Sequence, residues 1–82
     1  MQHTIFGIHI SHRTENVPAV QAALTKFGCS VRTRLGIHDA DETSCSPSGL
    51  VLVDVFGPDT EQFYMELKGL KGVGVQRMDF EA

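Results

Sequence analysis

His38 and Cys45 stand seven residues apart, with Asp39, Asp41 and Glu42 between them. A neutral imidazole and a thiolate are good ligands for nickel, copper or zinc. Two protein ligands are too few for a closed site, so a metal here needs one of the acids or a neighbouring subunit. The same pair also reads as a polar strand end followed by a small half-buried thiol. Arg32 and Arg34 precede them on one face of an alternating stretch, and Arg77 lies in the last apolar segment. The planar guanidinium fork matches carboxylates and phosphates. Solvated charge that discourages edge pairing is the other reading of these arginines. Together, Arg32, Arg34, His38 and Cys45 are the candidate ligand-binding residues, with a small anionic metabolite as the expected ligand. His3 and His9 share a strand parity, but six residues of strand span roughly 20 Å, so they do not meet on one ion. His9 faces away from Phe6 and Ile8, toward a partner or a ligand, although a partly buried, hydrogen-bonded imidazole is the more expected reading.

Other chemistries lack their residues. Cys45 with His38 imitates a thiol–imidazole pair, but no third orienting group is evident. The chain has no C-x-x-C pair, phosphate loop, H-E-x-x-H or G-x-S-x-G, so no enzyme activity is expected. RNA recognition on a four-stranded sheet needs stacking aromatics on the central strands, and Ile5, Gly7 and His9 do not supply them. A formal charge of −3 argues against a protein that grips nucleic-acid phosphates directly. No apolar run reaches membrane-spanning length, and the first residues lack the pattern of a signal peptide, so a cytoplasmic location is expected. Two cysteines are too few for a disulfide scaffold.

The 82 residues make one domain, 1–82, and its elements must position these groups. Residues 3–11 alternate, with Phe6, Ile8 and Ile10 on one side and Ile5, Gly7 and His9 on the other. Asn16 offers a helix N-cap, Pro18 suits a first turn, and Val17, Val20, Ala23, Leu24 and Phe27 follow at helical spacing. Gly28 is placed to end that helix in a left-handed conformation. Residues 30–38 form a second strand, with Val31, Thr33, Leu35 and Ile37 on one face. Residues 39–48 read as a loop, and 50–56 as a β-branched strand. Asp59 and Gln62 resemble a capping box for a helix carrying Phe63, Leu67 and Leu70, with Gly72 as its stop. Residues 73–80 are the last strand. This strand–helix–strand–strand–helix–strand order predicts an α+β, ferredoxin-like βαββαβ domain. Its four-stranded antiparallel sheet has both helices on one face and the first and third strands central.

The stretches "KFGCSVRTRLGIHDA", "CSPSGLVLVDVFG" and "LKGVGVQRMDF" resemble the iron-only hydrogenase system regulators and their uncharacterised relatives. The resemblance covers nearly the whole chain and rests mostly on fold-bearing segments. It implies a fold similar to ACT domains and to the C-terminal domain of nickel-responsive regulators, and a ligand- or metal-responsive regulatory domain that assembles with itself. In the nickel-responsive regulators, strand histidines and a downstream cysteine bind the metal; here His38 and Cys45 resemble that arrangement, but neither its spacing nor the second strand histidine is reproduced, since Gly36 and Ala40 flank the position. A metal-responsive sensor using His38 and Cys45 is therefore the alternative to a metabolite-binding regulator, and the cofactor is unassigned.

A count of faces bears on assembly. Two helices cover one side of a four-stranded sheet. Phe6, Ile8, Ile10, Val31, Leu35, Ile37, Val51, Val53 and Val55 are expected beneath them. The opposite side then carries Ile5, Leu50, Leu52 and Phe56 among His9, Asp54 and the arginines. Such a patch exceeds what a soluble monomer usually shows. Ile5, His9, Leu50, Leu52 and Phe56 are thus the expected interface of a homodimer or larger homo-oligomer.

Overall fold

The computed structural model describes residues 2–37, 40–41, 44–45 and 49–81, the short pieces 40–41 and 44–45 through their backbone. The elements are β1 (Gln2–Ile10), α1 (Arg13–Lys26), β2 (Val31–Ile37), β3 (Ala40–Asp41), β4 (Ser44–Cys45), β5 (Gly49–Val55), α2 (Thr60–Lys68) and β6 (Val73–Glu81). The four long strands form one antiparallel sheet in the order β2-β5-β1-β6. This is the expected ferredoxin-like plan. The 39–48 stretch, read from sequence as a loop, contains a second small ladder: Ala40 pairs with Cys45 and Asp41 with Ser44.

Alternation places Thr4, Phe6, Ile8 and Ile10 of β1 beside Val53 and Val55 of β5, all buried beneath the helices. From above, α1 contributes Val20, Ala23 and Leu24, and α2 contributes Phe63 and Leu67; Phe27, just past α1, joins them. Aromatic rings form the centre of this core. Phe63 stacks on Phe27 at 4.9 Å and tilts against Phe6 at 5.5 Å, and Tyr64 meets Phe6 at 5.5 Å. Such offset and tilted pairs match the ring quadrupoles as well as burying area.

Strand β2 departs from the expected parity. Val31 pairs with Val55 and Thr33 with the next residue of β5, Asp54, so Arg32 is the extra residue of a β-bulge. Beyond the bulge every side chain changes face. Leu35 and Ile37 sit opposite Leu52 and Leu50 on the uncovered side, where they are 55% and 38% exposed. They do not lie under the helices, and Arg34, opposite Val53, takes the helix-side parity instead.

The helix ends also differ from expectation. Helix α1 begins at Arg13, not at Val17. His12 adopts a left-handed conformation (φ 49°), and its carbonyl accepts the N–H groups of Glu15 and Asn16 at 2.9 and 3.1 Å. Pro18 therefore lies inside the helix and leaves the Thr14 carbonyl without its usual donor. Asn16 caps nothing; its side-chain amide donates back to the Ser11 carbonyl. Gly28 opens a short 3-10 turn, Gly28–Ser30, and has no left-handed backbone. At α2 the Asp59 side chain makes no capping bond; the Thr60 hydroxyl instead donates to the Gly57 carbonyl at 2.9 Å. Gly69 follows the last turn of α2, and Gly72 (φ 72°) turns the chain into β6.

Two contacts tie the sheet's ends to the rest. The Ser11 N–H donates to the Gly72 carbonyl at 2.8 Å, with the Asn16 side chain packed where a Cβ of residue 72 would stand. Across β1 and β6, the Thr4 hydroxyl donates to Asp79 at 2.9 Å, and Arg77 donates to the same carboxylate through Nε and Nη2 at 2.9 and 3.2 Å. These bonds, Arg77 first and Thr4 second, hold the Asp79 carboxyl below the usual carboxylate range.

Gly72→Ala should destabilise the domain by about 1–3 kcal/mol in urea unfolding, because it adds a strained φ and a collision with Asn16. Asp79 favours folding above its unfolded pKa of about 3.9, and this contribution is lost as pH falls through its lower folded value. Asp79→Asn should therefore show a smaller drop in melting temperature than the parent between about pH 4 and pH 2. Parallel acid limbs in the two proteins would contradict it.

Candidate functional site

Two surfaces carry groups able to bind. The first is the uncovered face of the sheet. Its central strands present Ile5, Gly7 and His9 from β1 and Leu50, Leu52 and Asp54 from β5, each pair directly opposite in the ladder. The bulge adds Leu35 and Ile37 from β2. Strand β6 adds Met78 and Phe80, opposite Ile5 and His3, at 51% and 54% exposure. His9 is exposed, not partly buried, and Ile5, Leu50 and Leu52 are half-buried by one another. Asp54 lies low in the face; its Oδ2 meets His3 Nδ1 at 3.1 Å, and its Oδ1 is buried with no hydrogen-bond partner. Over Gly7 and Gly74 the face dips into a hollow of about 520 Å³, bordered by His9, Leu50 and Gln76.

The second surface is a cleft of about 510 Å³ at the end of the sheet where β1 begins and β5 ends. Thr4, Val55 and Arg77 form its floor on the helix side. Residues 56–58 and the first turn of α2 form its wall, and Arg32 stands at its rim. The bulge gives Arg32 this place: its guanidinium lies over the Phe56 ring, 4.7 Å from the centroid. Arg77 reaches the floor from β6, between the Tyr64 ring (5.1 Å) and Asp79. Its Nη2 also meets Glu61 Oε1 of α2 at 2.8 Å. The hydrogen bonds to Asp79 and Glu61 keep Arg77 charged throughout the ordinary pH range.

Of the expected ligand-binding residues, the two described arginines take different places. Arg32 reaches the cleft, whereas Arg34 is exposed on the edge strand. His38 lies outside the described residues, and Cys45 is described as a backbone position of β4 paired with Ala40. Among the described residues no group of three or more His, Cys, Asp or Glu side chains is placed to share a metal ion. Of the expected interface residues, Ile5, His9, Leu50 and Leu52 share the uncovered face, while Phe56 stands at its rim under Arg32. Met78 and Phe80 were missed, although the same two-residue period that sorted β1 places them. Glu61 and Asp79 were missed as partners of Arg77. The alternation of β6 carries a signal for Asp79, two residues away, whereas Glu61 comes from another element.

No family model matches the chain, and no curated protein matches it either. Among the described residues no helix is long and apolar enough to cross a membrane. Solved structures do share the fold. The chain is similar to the uncharacterized protein TM1266 from Thermotoga maritima (15% identity, TM-score 0.77), over 99% of this chain and 100% of that one. It is also similar to part of a formyltetrahydrofolate deformylase from Pseudomonas putida KT2440 (13% identity, TM-score 0.57), over 93% of this chain and 28% of that one. A third likeness is to CPII, a nitrogen regulatory PII-like protein from Thiomonas intermedia K12 bound to ADP, AMP and bicarbonate. It has 14% identity and a TM-score of 0.50, over 100% of this chain and 96% of that one. These likenesses show the fold, a ferredoxin-like one.

Proposed function

We propose that this chain is a small, non-enzymatic regulatory module that binds a small anionic metabolite and works as a homo-oligomer, its smallest unit a dimer closed on the uncovered face of the sheet. The uncovered face carries this reading. Leu35, Met78 and Phe80 are each more than half exposed on it, around half-buried Ile5, Leu50 and Leu52. Contiguous apolar surface of this kind marks an interaction site.

A second copy is the occupant that fits. The face has protruding side chains and, beside them, the hollow over Gly7 and Gly74. A surface carrying both knob and hollow can complement itself across a two-fold axis. Asp54 is its one carboxylate among the described residues, so two faces bring only one acidic group each to the contact. Each large side chain covered contributes roughly 1.5–3 kcal/mol before the costs of association.

The ligand-binding part of the reading draws on the likeness in fold to a PII-like protein whose structure holds nucleotides and bicarbonate. The quoted stretches that resemble the iron-only hydrogenase system regulators support a place in that group. With a formal charge of −3, direct contact with nucleic acid is not part of the proposal.

Size-exclusion chromatography with light scattering should give a dimer mass or a multiple of it at micromolar concentration. Leu52→Asp, which sets a second carboxylate beside Asp54, should yield a monomer with unchanged circular dichroism. Should that variant prove insoluble, Met78→Lys on the edge strand should weaken association at least tenfold, about 1.4 kcal/mol. A monomer mass for the parent removes the proposal.

A further inference from the structure

We infer that the cleft between Arg32 and Arg77 is a binding site for a small phosphorylated metabolite, and that Glu61 occupies the arginine until the phosphate displaces it. This deepens the reading above, from which it takes the anionic ligand, and locates the site within a single chain.

At about 510 Å³ the cleft is of the size that receives a small metabolite. Of its two cations, Arg77 is held in place before any ligand arrives, and the exposed Arg32 lies over a ring at the rim. Arg77 is only 21% exposed; Asp79 binds its Nε and Nη2 edge, and the Tyr64 and Phe6 rings lie 5.1 and 6.0 Å from its Cζ. Arg32 rests on Phe56 and has no acidic partner among the described residues. A guanidinium fixed by a carboxylate on one edge and by rings on its face presents its remaining N–H groups in a set direction. Less freedom is then lost on binding an anion.

The two carboxylates on Arg77 differ. Asp79 takes two bonds from Arg77 and a third from the Thr4 hydroxyl, so it is part of the frame. Glu61 makes one bond, from Nη2, and is 73% exposed. Water competes well at the open Glu61 end of this pair, which therefore holds weakly. Glu61 can swing into solvent by side-chain rotation alone. Its carboxylate marks the position that a ligand anion would take, on the side of Arg77 that Asp79 leaves open.

The class of anion follows from this competition. A monocarboxylate offers Arg77 no more charge than Glu61 already supplies. A phosphate monoester brings nearly two charges and three acceptor oxygens, enough to engage Arg77 and Arg32 together. Val55, Phe56 and Pro58 line the remainder of the cleft and suit the uncharged part of such a molecule.

Isothermal titration with inorganic phosphate, ribose phosphate and adenosine monophosphate tests this, with acetate and adenosine as controls. The phosphorylated probes should bind once per chain, more weakly as salt rises, and the controls should not bind. Glu61→Gln should tighten binding about threefold or more, and Arg32→Ala should weaken it about tenfold or more. The Leu52→Asp monomer should bind as the parent does. If no phosphorylated probe saturates the parent or Glu61→Gln, the inference is wrong. It is equally wrong if binding is indifferent to both Glu61→Gln and Arg32→Ala, or is lost in the Leu52→Asp monomer, which would place the site between subunits. A parent that is monomeric yet binds phosphate in this pattern would instead overturn the assembly and leave the cleft standing.

Discussion

Two helices are enough to cover one side of a four-stranded sheet, and that shortage shapes the rest of the molecule. The covered side is buried and aromatic: Phe6, Phe27 and Phe63 meet there beneath α1 and α2. The central strands β1 and β5 nevertheless carry large apolar groups on both sides, because Ile5, Leu50 and Leu52 alternate with the residues of the core. A small domain buries only part of the surface its chain could bury. Here most of the unburied part is gathered on one plane, with Met65 of α2 standing apart from it.

The alternating strands and amphipathic helices were legible in the sequence because their periods are local. The faces of β1 and β5 could be read from residue parity, and the sheet order followed from the succession of elements. What could not be read is local in position but not in cause. The bulge at Arg32 leaves no mark in "SVRTRLGIH", which alternates as a regular strand does; only pairing with Val55 and Asp54 shows the extra residue. Asn16 has the chemistry of a cap, yet it is drawn to Ser11 and packs against Gly72, more than fifty residues along the chain. Of the cleft, Arg32 was legible as an anion-seeking group. Its conjunction with Arg77, Thr4 and Glu61 was not, because those residues come from three further elements.

The bulge has effects on both sides of the sheet. By turning Leu35 and Ile37 outward it widens the apolar plane, and by releasing Arg32 from the ladder it lets a guanidinium settle on Phe56 at the mouth of the cleft. One additional residue thus supplies both surfaces. Phe56, at the rim, borders the apolar plane on one side and underlies the arginine on the other.

The central place of β1 has a consequence for how the protein is made. Its two neighbours in the sheet, β5 and β6, are encoded far downstream, and Gln2 finds its partner at Glu81. A nascent chain that has released β1, α1 and β2 from the ribosome holds no hydrogen-bonded neighbour for β1 in this sheet. Its apolar strand must wait, with both edges open, until most of the remaining chain has emerged. Long-range pairing of this kind makes folding slow and leaves the strand open to aggregation. Formation of the sheet therefore waits for β5 and β6, and a chain truncated before β5 should be a substrate for chaperones that bind extended apolar segments.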